Sequence, residues 1–276
     1  MIRLYRSVDM STPQIEYVDM TTQRIALVTG GTSGIGLGLA QRYAAAGARV
    51  IVVARPSSHL DEVPRLVPGA ATVAADLVNP EGREEVTDAV LTRFGRLDVL
   101  VNNAGIQRRR GVAEDDASWS ERQREIDLLF AAPVHLATLL LPAMRSAAAG
   151  QIVNVTSGGA FTPQPFAPVY SAMKAALHSW TVTLRDALAE TSVAVTELIP
   201  PAVATGLSGS AAAHGLGLDE FCDAVFPGIE ERRAEVGAGT TGTEEFRDLL
   251  AEGARRFAAS TSRFAVRRFA PRDARS

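Results

Sequence analysis

Six short apolar runs recur along the chain: RIALVT (24–29), RVIVVA (49–54), ATVAA (71–75), LDVLVN (97–102), QIVNVT (151–156) and SVAVTELI (192–199). They are rich in β-branched residues and nearly continuous, the pattern of strands covered on both faces. Longer segments with helical spacing lie between them, over 34–46, 80–94, 116–148 and 168–190. Strand–helix alternation of this kind predicts a parallel sheet joined by right-handed crossovers. The expected fold class is therefore α/β, a doubly wound parallel sheet in a single domain with helices on both faces. After residue 200 the pattern loosens. LDEFCDAVFPGIEERR reads as an amphipathic helix, GAGTTG breaks it, and TEEFRDLLAEGARRFAAS resumes helical spacing behind a Thr-x-Glu start.

These patterns divide the chain into three expected parts. Residues 1–22 have no clear period and read as a poorly ordered extension, with Met20 as an alternative start. Residues 23–264 form the α/β domain, with a glycine- and alanine-rich substrate lid at about 203–233. Residues 265–276 make a basic tail, expected to be solvated.

Composition removes several function classes. The net charge is −3, so no basic field points toward a nucleic acid. Cys222 is the one cysteine, which excludes an internal disulfide and suits a reducing, cytoplasmic setting. The four histidines are scattered, so no metal site is expected. No uninterrupted apolar run nears the ~20 residues of a membrane span, and the N-terminal stretch lacks a signal-type apolar core.

The turn after the first strand, TGGTSGIG, spaces Gly30, Gly34 and Gly36 as G-x-x-x-G-x-G. Gly30 permits a tight turn. Gly34 lets backbone approach a pyrophosphate at a helix N-terminus, and Gly36 allows close helix–strand packing. The second strand ends in VVARPSS, with Arg55 and no acid, which favours NADP(H) over NAD(H). A surface charge at a strand end is the alternative. Asp76, ending the third strand, suits an adenine amino group, or else the N-cap of the next helix.

Tyr170 and Lys174 of YSAMK are four residues apart and so share one helix face. Lys174 is the only lysine; every other basic residue of this kind is arginine. A compact ammonium near a phenol favours the phenolate, and the Tyr could then exchange a proton with a substrate oxygen. Ser157 follows the strand QIVNVT, at the sheet edge where α/β folds place ligands, and could hydrogen-bond a substrate carbonyl.

Together, TGGTSGIG, NNAG (102–105), Ser157 and YSAMK resemble the short-chain dehydrogenase/reductase family over residues 24–207 or so. The stretches EIDLLFAAPVHL, IPPAVATGL and DEFCDAVFPGIEERRAEV look like its DltE-type subgroup. The resemblance implies a Rossmann-like NAD(P)-dependent oxidoreductase that interconverts an alcohol and a carbonyl. It makes Tyr170 the acid/base, with Ser157 orienting the substrate oxygen. Lys174 would bind ribose and lower the Tyr pKa. Cofactor contacts would come from Gly30, Thr32, Ser33, Gly34, Ile35 and Gly36 on the first turn. Arg55, Asp76 and Leu77 would follow, then Asn102, Asn103, Ala104 and Gly105. Pro200, Val203 and Thr205 would meet the nicotinamide. The expected partners are a small, apolar substrate and a second copy of the chain, as a homodimer or homotetramer.

Three departures qualify the match. Leu129 stands where the family has an Asn that holds a helix kink and a relay water. Without it, a NADP(H)-binding sensor with little turnover is the second reading. Pro200–Pro201 replaces the usual Pro-Gly. The C-terminal third lacks the family's usual last strand with its DGG ending. The charge run QRRRG (107–111) could attract an anionic substrate, although a solvated loop is its main reading, and His135 and His178 read as core-edge residues. FTPQPFAPV (161–169) is expected to wall the site between Ser157 and Tyr170.

Overall fold

Among the described residues, seven strands, most of them buried on both faces, form one parallel sheet. They are β1 (Ile25–Thr29), β2 (Arg49–Ala54), β3 (Ala71–Ala74), β4 (Val99–Asn102), β5 (Gln151–Val155), β6 (Ala194–Ile199) and β7 (Glu235–Gly237). The computed structural model describes residues 23–207, 215–264 and 266–271. The strand order is β3-β2-β1-β4-β5-β6-β7, so the chain reverses its direction of travel between β1 and β4. Open α/β sheets bind ligands at that switch point, beyond the carboxyl ends of the strands.

The described residues hold eight α-helices: α1 (Gly34–Ala45), α2 (Ser58–Leu66), α3 (Pro80–Phe94), α4 (Trp119–Ile126), α5 (Ala132–Ser146), α6 (Pro168–Ala187), α7 (Leu218–Glu230) and α8 (Glu244–Thr261). On one face Leu39 and Tyr43 of α1 pack with Phe221, Val225 and Ile229 of α7. On the other, Val86 and Val90 of α3 pack with Leu136, Leu140 and Met144 of α5. By length and composition alone, Trp119–Ser146 is apolar enough to cross a membrane. In the fold its apolar stripe faces the sheet instead.

Several expectations change. The helix expected over 116–148 is continuous in direction but not in winding. Between α4 and α5 lies a π-helical turn, Asp127–Ala131, where the Ala132 N–H donates to the Asp127 carbonyl five residues back. The sequence signal for α2 is weak because the helix is short and carries Pro64 inside it, and its hold is local: the Ser57 side chain accepts from the Leu60 N–H. A last strand is present after all. β7 is only three residues, too short for an apolar pattern, and it exists because it pairs in parallel with β6 through Leu198↔Val236.

The lid expected at 203–233 cannot span that whole range. Its second half is α7, whose Phe221, Cys222, Val225 and Ile229 form a buried face of the core. Residues 208–214 and the expected extension at 1–22 lie outside the described residues. The described part of the tail, 266–271, docks rather than fraying. The Phe269 N–H donates to the Ala187 carbonyl at 2.9 Å. Arg145 lies over the Phe269 ring, and Arg268 pairs with Asp186 at 2.6 Å.

Because α7 belongs to the core, Phe221→Ala is expected to cost about 3–5 kcal/mol of unfolding free energy, the usual cost of emptying a buried aromatic site. Urea denaturation reads it. A loss below about 1 kcal/mol, typical of surface substitutions, would show that the helix is a peripheral flap.

Candidate active site

The carboxyl ends of β1, β4, β5 and β6 open into one cavity of about 520 Å³, within the range of small-molecule sites. Its shape begins with Thr29, the last residue of β1. The Thr29 hydroxyl donates to the Val101 carbonyl at 3.1 Å and accepts the N–H groups of Asn103 and Ala104 at 2.9 and 3.0 Å. Asn103 returns the tie, its Nδ2 donating to the Thr29 and Gly30 carbonyls at 2.9 and 3.2 Å. Sequence reading passed over Thr29, because a Thr ending a strand has no signature of its own.

The glycine turn is built against this tie. Gly30 and Gly34 take φ of +65° and +52°, a region that favours glycine. A Cβ on Gly36 would stand 2.3 Å from both the Gly30 oxygen and Asn103 Nδ2, so any side chain there would push α1 off the sheet. Ser33 precedes α1 without a side-chain cap, and the first turn carries no acid. The helix thus presents open N–H groups and its positive end to the cavity, which suits a pyrophosphate. Thr32, Ser33, Gly34 and Ile35 line the cavity, whereas Gly36 does its work behind the wall.

The other expected contacts mostly converge on the same cavity. Arg55, Asp76 and Leu77 line one end, Asn103, Ala104 and Gly105 the middle, and Pro200, Val203 and Thr205 the far wall. Asn102 does not. It turns into the sheet, where its Nδ2 donates to Asn154 Oδ1 at 2.9 Å. Asn154 donates in turn to Thr181 Oγ1 at 2.9 Å, and Thr181 to the Leu177 carbonyl at 2.6 Å. This buried chain pins α6 to β4 and β5. Asp76 is not a helix N-cap, since α3 starts behind Asn79. It accepts from the Val78 N–H at 3.1 Å and pairs with Arg124 at 3.2 Å. Arg124, also on the cavity wall, gave no sequence signal because it lies far along the chain.

Ser157, Tyr170 and Lys174 meet at the centre. Ser157 Oγ accepts the Gly159 N–H at 3.1 Å, which fixes the hydroxyl. Burial pushes the Tyr170 phenol above its ordinary pKa, opposed by a hydrogen bond with Ser157, with the Glu125 charge adding a smaller upward push. Lys174 Nζ donates to the Val155 carbonyl at 2.6 Å and stands 5.7 Å from the centre of the Tyr170 ring. Burial pushes the ammonium down to about 8. The expected lowering of the Tyr170 pKa is therefore outweighed here: burial raises the phenol. A protonated phenol is what a proton donor needs.

Leu129 occupies the π-helical turn, fully buried against Tyr170 and Ala167. The bend is thus present without an amide, and an apolar side chain backs the phenol. One turn beyond Lys174, His178 Nδ1 meets Glu197 Oε2 at 2.8 Å, and Thr156 Oγ1 donates to Glu197 Oε1 at 2.7 Å. His178 is thus more than a core-edge residue: it partners a fully buried carboxylate on β6. The residues around the cavity fit a dinucleotide: a side-chain-free cradle, an open helix N-terminus, and Arg55 in place of an acid at the end of β2.

A family model for short chain dehydrogenase matches residues 24–215. The oxidoreductase DltE of Bacillus subtilis is 38% identical over 221 residues, covering 78% of this chain and 88% of that protein. A short-chain dehydrogenase of Sphingobium yanoikuyae, solved in complex with NADPH, superposes with a TM-score of 0.75 at 28% identity, covering 92% of this chain and all of that one. A 3-ketoacyl-(acyl-carrier-protein) reductase of Brucella melitensis, complexed with NADH, superposes with a TM-score of 0.71 at 27% identity, covering 78% and 97%.

With one lysine in the sequence, ζ-15N-lysine labelling should give a single side-chain signal. In the ligand-free protein that signal should titrate with a midpoint of about 8, displaced from the ordinary 10.5. The unfolded chain then holds this proton up to 10.5 while the folded chain has released it, so this group makes stability rise with pH across that window. A midpoint near the ordinary value would show that water reaches the ammonium.

Proposed function

The chain belongs to the short-chain dehydrogenase family, an oxidoreductase family that uses NAD(P), and from that premise we propose that it is an NADP(H)-dependent reductase of a small carbonyl compound. The observation that carries the proposal is the meeting of Ser157, Tyr170 and Lys174 in the cavity that begins at the glycine cradle. A bound nicotinamide supplies the hydride. Ser157 holds the substrate oxygen through its anchored hydroxyl and favours the negative charge that develops there. Tyr170, kept protonated by burial, donates the proton to that oxygen. Lys174 binds ribose and stabilises the phenolate that proton transfer leaves. The substrate body lies against Phe166, Leu128 and Leu207, which line the cavity. The reverse oxidation runs through the same groups.

Arg55 supports NADP(H) over NAD(H). Arg124, held by Asp76 at the same end, adds a second guanidinium suited to a phosphate. Cytoplasmic placement and a homodimer or homotetramer complete the proposal. A second reading, a NADP(H)-binding sensor with little turnover, rests on Leu129. Tight NADPH binding with no oxidation by any of a panel of ketones, aldehydes and quinones would favour it, and Leu129→Asn would then be expected to raise turnover.

Tyr170→Phe is expected to cut kcat by about 10²–10⁴-fold, the usual worth of a positioned acid, without a comparable loss of NADPH affinity. Full retained activity would remove Tyr170 from the chemistry. Arg55→Asp should weaken NADPH binding by about tenfold or more, as loss of a charge-assisted hydrogen bond does, and leave NADH binding equal or tighter. An unchanged NADPH-to-NADH affinity ratio in that variant would overturn the NADP(H) preference.

A further inference from the structure

The charge run QRRRG is solvated only in part: Arg109 and Arg110 are exposed, whereas Gln107 and Arg108 are half-buried. Its alternate residues point two ways, as in any extended segment. Gln107, Arg109 and Gly111 face the wall that leads from Ser157 to Tyr170. Gln107 Nε2 donates to Gln164 Oε1 at 3.2 Å. The Arg109 guanidinium lies 4.2 Å from the centre of the Phe166 ring. A Cβ on Gly111 would stand 3.6 Å from the Pro165 carbonyl. Arg108 faces the other way, paired with Asp115 at 2.8 Å, while its N–H is directed at the buried Glu125 carboxylate at 3.4 Å. Asp115 is itself clasped by Arg122 at 3.0 Å. Both sides of Arg108 are therefore braced, and that bracing fixes where Arg109 points.

Arg109 and Gln107 both line the cavity, and Arg109 Nη1 donates to Gln107 Oε1 at 3.1 Å. The result is a polar rail, Arg109 to Gln107 to Gln164, running from the mouth inward above Phe166. Gln164 ends the rail beside Gly159, whose added Cβ would lie 3.3 Å from the Gln164 side chain and 3.4 Å from Ser157 Oγ. The charged side chains of the cavity wall are Arg55, Asp76, Arg109, Arg124 and Lys174: four cations to one acid, in a chain of net charge −3. Arg55 and Arg124 stand at the Asp76 end. Arg109 stands on the substrate side, over an aromatic ring.

The geometry points to an anion subsite at Arg109, so that the preferred substrate is an aldehyde or ketone whose apolar body lies on Phe166 and ends in a carboxylate. A carboxylate matches the planar guanidinium fork with two parallel hydrogen bonds. This rests on the reductase reading above and adds to it the class of substrate.

Three aldehydes with one ring test it: 4-carboxybenzaldehyde, its methyl ester methyl 4-formylbenzoate, and 4-formylphenyl phosphate. Turnover with saturating NADPH gives kcat/KM for each. The parent should prefer the acid over the ester by about tenfold or more, as for a hydrogen-bonded charge. Arg109→Gln should erase that preference by slowing the acid alone. Arg109→Lys should keep part of it, and Arg110→Gln should keep all of it. Equal use of acid and ester by the parent, or a loss in Arg109→Gln that falls on NADPH affinity instead, overturns the subsite. A parent preference for the phosphate over the acid overturns the carboxylate assignment. Equilibrium binding of acid and ester to NADPH-loaded Tyr170→Phe protein separates the two readings. A carboxylate preference in binding that needs Arg109, with no turnover by the parent, keeps the subsite and sinks the reductase. Turnover without that preference does the reverse.

Discussion

The Thr29 hydroxyl is the smallest group on which most of this site depends. It sits at the reversal of strand order, where β1 and β4 neighbour each other but diverge in the chain. With one donor and two acceptor positions, it ties the Val101 carbonyl and the N–H groups of Asn103 and Ala104 into one knot. The glycine turn and the NNAG turn are then forced to within contact distance. The tight fit of Gly30 and Gly36 follows from that closeness. Gly36 has no room for a Cβ because Asn103 and Gly30 already fill it, and they do so because Thr29 holds them there.

A second polar chain does the same for α6. Asn102, Asn154 and Thr181 run through the sheet interior, where hydrogen bonds from the Asn102 and Asn154 amide nitrogens join them, while Asn102 Oδ1 is buried without a hydrogen-bond partner among the described residues. Their hydrogen bonds set the depth and rotation of the helix that carries Tyr170 and Lys174. That placement puts a cation in a dry environment against a single described carbonyl, Val155, and burial lowers the ammonium pKa accordingly. The same dryness raises the phenol. The tyrosine and lysine are thus both shifted toward their neutral forms by the packing that aligns them. Leu129 contributes to this dryness, closing the space behind the ring with hydrocarbon.

Much of the fold was legible in the residues. Continuous β-branched runs marked six of the seven strands, and helical spacing marked the long helices. Three features escaped for physical reasons. β7 has three residues and exists only as a partner of β6. α2 carries a proline and a short apolar stripe, so local propensity argued against it. The π-helical turn has no composition of its own: Leu129 would suit an α-helix equally well, and the extra residue is absorbed where the turn packs over Tyr170. Residues 203–233 do not form one lid, because the amphipathic stretch in their second half spends its apolar face on the core as α7.

The candidate site divides in the same way. Local sequence determined the groups whose chemistry depends on spacing along one element: three glycines at a strand–helix turn, a Tyr and a lone Lys on one helix face, a Ser at a strand end. Those relations survive any arrangement of the other elements. Only tertiary structure decided what surrounds them. Arg124 reaches Asp76 from 48 residues away, and Glu197 meets Thr156 and His178 across strand and helix. Arg109 was one of three equal arginines until the fold turned its neighbour toward Asp115 and left it over Phe166. The direction in which burial moves a titratable group belongs to this second kind too, because desolvation is a property of everything packed around a side chain and no motif carries it.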